Sequence, residues 1–265
     1  MTKTTTMKTI LLSSILALYT FSGIAQTSPK IKVANTSISF PVSDSAAIGI
    51  VKKDSTKIEI EGHIEVGVNG YLSASNSLTL DKDQELMELN YGRSRYFAWY
   101  LMADNIHIIK NRVYLLTGLG LSYNGYFFEN NINIGTDNDT TLFSRDTVTT
   151  YDKFKLRATY LQIPIMFRIR FHQPKKKGVD LAFGVLAGYR IGSRIKTKYS
   201  KDGDNKKDKI IDDFNFSPFK ADLTARIGYK DIGLVFNYSL TPLFEKNKAP
   251  ELYPFSVGIT IGGGF

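Results

Sequence analysis

A two-residue alternation of apolar and polar side chains runs through most of the sequence from residue 57 onward. In its clearest stretch, from Val179 to Ser200, odd positions carry mainly Val, Leu, Phe and Tyr, and even positions mainly Gly, Ala, Arg and Lys. Successive side chains of a β-strand point to opposite faces, so the pattern predicts a strand with one apolar face. Related patterns predict eight strands, near 58–73, 94–109, 113–129, 155–171, 179–200, 216–229, 232–244 and 253–265.

The segments between these strands alternate strictly between short and long. The connections at 110–112, 172–178 and 230–231 are short, those at 74–93, 130–154 and 201–215 are long and polar, and that at 245–252 is intermediate. A transmembrane β-barrel has short periplasmic turns and longer external loops. The sequence therefore predicts an all-β fold, an eight-stranded antiparallel up-and-down transmembrane β-barrel of the outer membrane, with both termini in the periplasm.

Alternation alone does not decide which face points outward, and a soluble lipocalin-like barrel would place its apolar face inside. Eight strands enclose room for filling side chains or one small ligand, which is too little for the bulky side chains of the apolar face. The other face carries glycines such as Gly118, Gly184 and Gly258, which suit a crowded interior. We therefore expect the apolar face to meet lipid and the polar face to line the lumen.

The predicted lumen holds charges of both signs, and buried charges require partners. We expect a lumen charge network of Glu59, Glu61, Glu65, Arg168, Arg170, Asp180, Arg190, Arg194, Asp222 and Arg226. Arg194, Lys196 and Lys198 approach the external end of their strand, where they could instead meet lipopolysaccharide phosphates. The favoured interpretation is salt bridging in the lumen for Arg194 and a solvated rim for the two lysines.

The first 25 residues have the features of a secretory signal peptide. Lys3 and Lys8 precede a short apolar stretch from Ile10 to Phe21, and Gly23-Ile24-Ala25 forms a small-residue cleavage site. The apolar stretch is too short for a membrane-spanning helix. We expect residues 1–25 to be removed on export, 26–56 to form a polar periplasmic extension and 57–265 to form the barrel.

Three characteristic stretches precede a final strand that ends in Phe265. They are Tyr160-Leu-Gln-Ile-Pro-Ile-Met166, Gly184-Val-Leu-Ala-Gly-Tyr-Arg190 and Tyr238-Ser-Leu-Thr-Pro-Leu-Phe244. These stretches resemble the PorT-like family of outer-membrane β-barrel proteins of the Bacteroidota. The terminal Phe265 resembles the signal by which such barrels are recognised for assembly. The resemblance implies an eight-stranded barrel in the outer membrane and supplies no catalytic residues. The namesake member is tied to a protein-secretion system.

The groups that could carry chemistry do not form a catalytic or metal-binding pattern. His63, His107 and His172 have no Ser or Asp placed by the sequence to complete a triad, so we predict no enzymatic activity. The acidic loop at 202–213 departs from EF-hand spacing, and its lysines oppose a bound cation. The absence of cysteine excludes disulfides and thiol catalysis. We predict no cofactor and no metal.

The net charge of +9 comes from Lys and Arg spread over turns, loops and strands, without a basic helix or an aromatic stacking motif. This distribution does not predict nucleic-acid binding. We expect a non-enzymatic outer-membrane barrel with a structural or interaction role. The alternatives are a component of a secretion or envelope-assembly complex, a lipid-modifying enzyme and a soluble ligand-binding barrel. The expected partners are outer-membrane lipid, the barrel assembly machinery and, for the first alternative, secretion-system or envelope proteins.

Overall fold

The computed structural model describes residues 30–33, 36–39, 57–82, 84–109, 112–137, 140–171, 178–201 and 204–262. The chain divides into two compact units, Met1–Ile58 and Glu59–Phe265. In the first unit, β1 (Lys30–Val33) and β2 (Thr36–Ser39) pair as a short antiparallel hairpin. Within the described ranges, helical structure falls short of the length and apolar content that a membrane span requires.

The second unit is built almost entirely from strands. In chain order these are β3 (Lys57–Ser73), β4 (Arg95–Ile109), β5 (Val113–Phe127), β6 (Ile132–Asp137), β7 (Thr140–Arg145), β8 (Tyr151–Arg170), β9 (Val179–Lys201), β10 (Asp204–Ile210), β11 (Phe219–Tyr229), β12 (Ile232–Ser239) and β13 (Leu252–Ile261). A single 3-10 turn, η1 (Glu85–Met87), lies between β3 and β4 in the described part of this unit.

Eight of these strands form one antiparallel sheet in which neighbours in the chain are neighbours in space. The order is β3, β4, β5, β8, β9, β11, β12 and β13. The last strand also pairs with the first, from Leu252 opposite Ser73 to Ile261 opposite Ile64. Each of the eight strands therefore has two hydrogen-bonded neighbours, as in an up-and-down barrel. The predicted all-β fold and its eight strands are confirmed.

Burial along the strands is the inverse of that in a soluble protein. In β11, Arg226 is 1% exposed whereas the adjacent Ile227 is 50% exposed. In β5, Ser122 and Asn124 are buried while Leu119 is 43% exposed. The polar face thus lines the interior, and the apolar face forms the outer wall. A wall of this kind is stable against hydrocarbon, and it is the opposite of what a soluble ligand-binding barrel requires.

Aromatic side chains lie on the outer wall near both ends of the apolar band. Near the long-loop end, Tyr189 and Phe219 are exposed on paired strands with ring centroids 5.4 Å apart. Phe171 and Tyr229 are exposed near the short turns. Tyr71, also near the long-loop end, lies on the interior face of β3 and is buried, so it does not belong to this outer ring of aromatics. The exposed rings have the positions of the two aromatic girdles that flank the lipid-facing band of a transmembrane barrel.

Two of the predicted long loops contain regular structure. β6 and β7 pair as a hairpin inside the predicted loop 130–154, and β10 pairs with the outer part of β9 inside the predicted loop 201–215. β9 has 23 residues, whereas about 9–11 residues suffice for a strand to cross the hydrocarbon. Its outer part therefore projects beyond the membrane and forms an edge on which β10 pairs.

The outward orientation of the apolar face predicts the effect of a charge placed there. Leu119→Arg should weaken folding into lipid vesicles by about 2–4 kcal/mol, the cost of Arg near the midplane of a barrel's lipid face. Leu119→Met is the matched control and should fold like the natural protein. Urea titration of vesicle-inserted protein measures both, and equal stability of the Arg variant would contradict the assigned orientation.

Candidate functional site

A buried ion pair crosses the middle of the barrel. Arg226 Nη2 lies 2.6 Å from Glu65 Oε1, and both side chains are fully buried. The hydroxyl of Tyr96 donates a hydrogen bond of 2.8 Å to the same carboxylate, and the Arg226 guanidinium lies 5.4 Å from the centre of the Tyr100 ring. Arg226 is on β11 and Glu65 on β3, which are not paired strands, so this contact joins separate walls of the lumen.

A chain of polar contacts continues from this pair across the lumen. The Tyr100 hydroxyl donates a 2.7 Å hydrogen bond to Gln162 Oε1, and Gln162 Nε2 donates to Asp222 over 3.4 Å. Asp222 also forms an ion pair with Lys220, in which Nζ lies 2.9 Å from Oδ2 of the carboxylate. These residues come from β4, β8 and β11, so the contacts tie three walls together.

A second group of charges lies nearer the short-turn end. Asp180 lies 3.6 Å from Arg170 Nε and 4.0 Å from Arg168 Nε. Arg170 also donates to the Tyr114 hydroxyl over 3.0 Å, and both guanidinium groups lie within about 5 Å of the Tyr114 ring centre. The two cations share one fully buried carboxylate and one aromatic face, which together compensate their burial.

The structure therefore brings most of the predicted network into the lumen. Buried or half-buried on the lumen side are Glu65, Arg168, Arg170, Asp180, Asp222 and Arg226. Glu61 is half-buried on β3, and the side chain of Glu59 and the terminal Phe265 lie outside the described residues. Arg190 is half-buried toward the long-loop end, where it donates to Ser193 Oγ over 3.1 Å. Sequence patterning did not predict Tyr96, Tyr100 and Gln162 as members, because an uncharged lumen residue has no distinguishing signal.

Arg194 lies outside the lumen, contrary to the position that strict alternation predicts. The pairing of β8 with β9 shifts by one residue between Thr159 opposite Gly192 and Tyr160 opposite Arg190, which leaves Ile191 as an extra residue. A bulge of this kind reverses the alternation beyond it. Ser193 and Ile195 are accordingly buried, and Arg194 lies opposite Arg157 on the outer wall.

The long loops enclose a hydrophobic core of their own, which we call the loop cap. Its buried members are Tyr71, Met87, Leu89, Tyr126, Phe128, Ile132, Ile134, Phe154, Leu156, Ala158, Tyr160, Ile195, Phe214, Phe216, Leu243, Phe244 and Leu252. Two isolated bridges, Leu89 with Phe128 and Phe216 with Phe244, connect the loops, and the last two rings stack at 5.1 Å. The loop cap was not predicted, since its loop members occur singly or in pairs among polar residues.

Backbone strain marks the junction of three loops in the loop cap. Phe214 and Asn215 both have φ of +50°, a left-handed conformation that side chains disfavour. The Thr141 hydroxyl donates to the Phe214 carbonyl and accepts from Asn215 Nδ2, both over 3.0 Å. The Glu245 amide donates to the Asn215 carbonyl over 2.8 Å. Hydrogen bonds from two other loops thus stabilise a conformation that the segment alone would not maintain.

A cleft of about 240 Å³ opens beside the loop cap. It is lined by Asn90, Arg93, Phe127, Phe128, Glu129, Asn130, Asn131, Tyr151, Asp152 and Phe154. The Arg93 guanidinium stacks on the Phe127 ring at 3.7 Å, which fixes one wall of the cleft. The polar lining offers hydrogen-bond donors and acceptors to a partner at the surface.

The histidines do not join these clusters into a catalytic arrangement within the part of the chain that the structure describes. His63 is buried in the lumen, and His107 stacks against Tyr114 with centroids 4.7 Å apart. His172 lies outside the described residues. Among the described side chains, no group of three or more His, Cys, Asp or Glu is arranged to hold a metal ion.

Residues 53–245 match the model of the outer membrane protein beta-barrel domain family. The chain belongs to this family. Its barrel strands, inverted faces and alternating connections agree with that assignment. No curated protein matches the sequence closely enough to count as a relative.

Two solved structures resemble this beta-barrel family member in outline. Both are crystal structures of Ail, the attachment invasion locus protein of Yersinia pestis, one of them in complex with the heparin analogue sucrose octasulfate. Each is 12% identical, and each match covers 77% of this chain and 97% of Ail, with TM-scores of 0.31 and 0.30.

The central ion pair of this beta-barrel domain predicts strong coupling between its two partners. Arg226→Met and Glu65→Gln should each destabilise the barrel by about 3–5 kcal/mol, because each leaves a buried polar or charged group without its partner. The double variant should lose clearly less stability than the sum of the losses in the two single variants. Urea unfolding in vesicles measures the cycle, and additive losses would contradict a direct interaction.

The half-exposed pair between Lys248 and Glu245, 3.1 Å apart, supplies the control. Glu245→Gln should change stability by less than about 1 kcal/mol, as is usual for ion pairs in contact with water.

Proposed function

We propose that this outer-membrane barrel is a non-enzymatic interaction protein that acts through its loop cap at the cell exterior. The observation that carries the proposal is the hydrophobic core of the loops, in which Phe216 and Phe244 are almost completely buried. Ordering a loop costs conformational entropy for every residue fixed. A barrel that served only as a membrane anchor would not need loops ordered in this way.

The strained backbone at Phe214 and Asn215 supports the same proposal. Residues in disfavoured conformations persist where the surrounding structure fixes them, and they cluster at binding sites. Rigid loops on a barrel also present a preorganised surface, which lowers the entropic cost of binding a partner. The polar cleft that contains Arg93 and Asp152 belongs to this surface.

The filled lumen argues against a transport role. Side chains from separate walls meet in it, including the pair of Arg226 with Glu65 and the hydrogen bond of Tyr100 to Gln162. An eight-stranded barrel leaves no continuous water path once such side chains fill it. The surfaces available for function are therefore the two ends and the outer wall.

A PorT-like role in secretion or envelope assembly, in a chain from the Bacteroidota, is the second candidate. The resemblance is carried partly by Gln162, Pro164 and Met166, which are buried in the lumen. Similarity at buried lumen positions supports a barrel interior like that of the PorT-like family. A secretion role would act through the periplasmic side, where the extension 26–56 and the basic turn 172–178 belong, and most of these residues lie outside the described ranges.

Export and assembly form part of the same proposal. Residues 1–25 are removed as a signal peptide, which leaves Gln26 at the N-terminus of the mature protein. The terminal Phe265 is recognised by the barrel assembly machinery, and lipid covers the apolar outer wall. Residues 1–25 and Phe265 lie outside the described residues.

The filled lumen predicts that the protein does not conduct ions. Purified protein in planar lipid bilayers should give no steady single-channel current in concentrated potassium chloride, because no continuous water path remains. A larger barrel porin measured in the same bilayers is the positive control. Reproducible conductance steps from folded protein would refute the closed lumen and favour transport.

The loop cap predicts a separation between folding and function. Phe216→Ala should loosen the loop cap, since removing a buried Phe side chain costs about 3–5 kcal/mol, while the barrel itself stays assembled. On intact cells the variant should become sensitive to proteinase K. Ile211→Ala, a 70% exposed position in the same connection, is the matched control and should remain resistant.

Complementation of a deletion strain separates the two candidate functions. An interaction protein should lose adhesion or aggregation with Phe216→Ala and tolerate deletion of 26–56. A secretion component should show the reverse, with a changed secreted proteome after that deletion or after neutralisation of Lys175, Lys176 and Lys177. Normal adhesion and aggregation in the Phe216→Ala strain, with its loop cap demonstrably opened, would overturn the proposed role.

A further inference from the structure

The bulge at Ile191 places a group of cations on the outer wall. Arg194, Lys196 and Lys198 lie opposite Arg157, Lys155 and Lys153 in the pairing of β9 with β8. Paired residues in an antiparallel sheet share a face. Phe154 and Leu156 of β8 and Ile195 of β9 are buried in the loop cap, so their neighbours on both strands face outward.

Neighbouring strands extend this group into three rows, which we call the outer-wall cationic patch. β10 adds Lys209 opposite Lys196 and Lys207 opposite Lys198, and β4 adds Arg95, which is separated from Arg157 by Gly125 of β5. The rows are Arg95, Arg157 and Arg194, then Lys155, Lys196 and Lys209, then Lys153, Lys198 and Lys207.

The cations of this patch repel one another without a matching set of acids. Like charges placed directly opposite on a sheet are destabilising. The Asp152 carboxylate lies at the edge of the patch, 3.9 Å from Lys198 Nζ, whereas Asp208 pairs with Thr197 on the other face. The Arg194 and Arg157 charges lower the pKa of Lys196. Such an arrangement is stabilised when an anion binds to it.

Lys155 lies at the centre of the patch and is held there by its surroundings. A side chain at Gly125 would collide with the end of the Lys155 side chain, so the glycine makes room for Lys155 to lie over β5. Burial, together with the Arg157 and Lys153 charges, lowers the pKa of Lys155 to about 8. Lys155 lies six residues beyond Leu161, the last exposed apolar side chain of β8 toward the long-loop end, and is therefore outside the membrane-spanning part of the strand.

The patch begins where the lipid-facing band ends. The Arg157 guanidinium lies 5.7 Å from the centre of the Tyr123 ring, which is exposed on the outer wall. Leu161, four residues further along β8, is also exposed and belongs to the apolar band. The rise of about 3.3 Å per residue places the first row of cations at the level of lipid headgroups. The long-loop end is the external end of such barrels, so these headgroups belong to the outer leaflet.

We propose that the outer-wall cationic patch binds the phosphate groups of glycolipids in the outer leaflet. Arg157 and Arg194 can each form paired hydrogen bonds with a phosphate, and Lys155 and Lys196 supply point charges beside them. The cations lie in rows across the sheet, with the first row at headgroup level. This arrangement matches the phosphate groups of glycolipids, which the membrane holds in one plane. The site is separate from the loop cap and does not depend on the function proposed for it.

The test compares lipid binding by the full-length protein in nanodiscs. The triple variant R157Q/R194Q/K196Q removes three charges from the patch, and K82Q/R145Q/K246Q removes three exposed charges elsewhere. The probes are phosphorylated lipid A, the same glycolipid without its phosphates, phosphatidylglycerol and inorganic phosphate. A heat-modifiability gel verifies that each variant is folded.

The natural protein and the control variant should retain phosphorylated lipid A at least about tenfold more strongly than the dephosphorylated form, as expected when charge-assisted contacts are lost. The patch variant should lose this preference. Equal retention of both forms by the natural protein, or an unchanged preference in the folded patch variant, would overturn the proposal. Equal retention of phosphatidylglycerol would replace it with unspecific charge attraction, and competition by dilute inorganic phosphate would replace it with a soluble anion site.

The pKa of Lys155 supplies an independent measurement. Below about pH 8 the Lys155 amine is charged and can pair with a phosphate group. Above that pH the amine is mostly neutral, so that binding of phosphate must include uptake of a proton. Retention of phosphorylated lipid A should therefore weaken between pH 7 and pH 9.5. Lys155→Arg, which stays charged over this range, should weaken less, and identical pH profiles would contradict a contact between Lys155 and phosphate.

Discussion

The absence of water around a membrane-spanning strand is the constraint on which the rest of this structure depends. Every backbone N–H and C=O group in hydrocarbon must find a partner within the protein. Here the pairing of β13 with β3 supplies the partners that an open sheet would lack. The same constraint places the apolar face outside, and eight strands enclose an interior just wide enough for side chains to fill.

A narrow interior lined by the polar face creates a second requirement, since each charge there must be neutralised. The structure meets it with pairs that cross between walls, as in Arg226 with Glu65, and with a carboxylate shared by two cations at Asp180. These contacts fix separate strands relative to one another. They stabilise the antiparallel sheet and occupy the space between its walls. This filling of the interior is one reason why we propose a function at the ends and on the outer wall.

The sequence predicted those parts of the fold that follow from a strict period. Alternation placed the eight strands and assigned Glu65, Asp222 and Arg226 to the same interior, because a face is fixed once the phase of a strand is known. It did not predict β10, whose residues are exposed on both faces and show no burial pattern. It also missed the loop cap, because contacts such as that of Phe216 with Phe244 join distant loops and follow no local period.

The bulge at Ile191, which the alternation of the sequence did not predict, connects the loop cap with the outer-wall cationic patch. Without the extra residue at Ile191, alternation along β9 would put Ile195 on the outer wall and turn Arg194 and Lys196 toward the interior of the loop cap. Both outcomes would be costly, since an apolar core would lose a member and gain unpaired charges. The bulge instead gives the loop cap its Ile195 and the outer wall its Arg194 and Lys196. A single inserted residue thus allows one strand to be apolar outside within the membrane and cationic outside just above it.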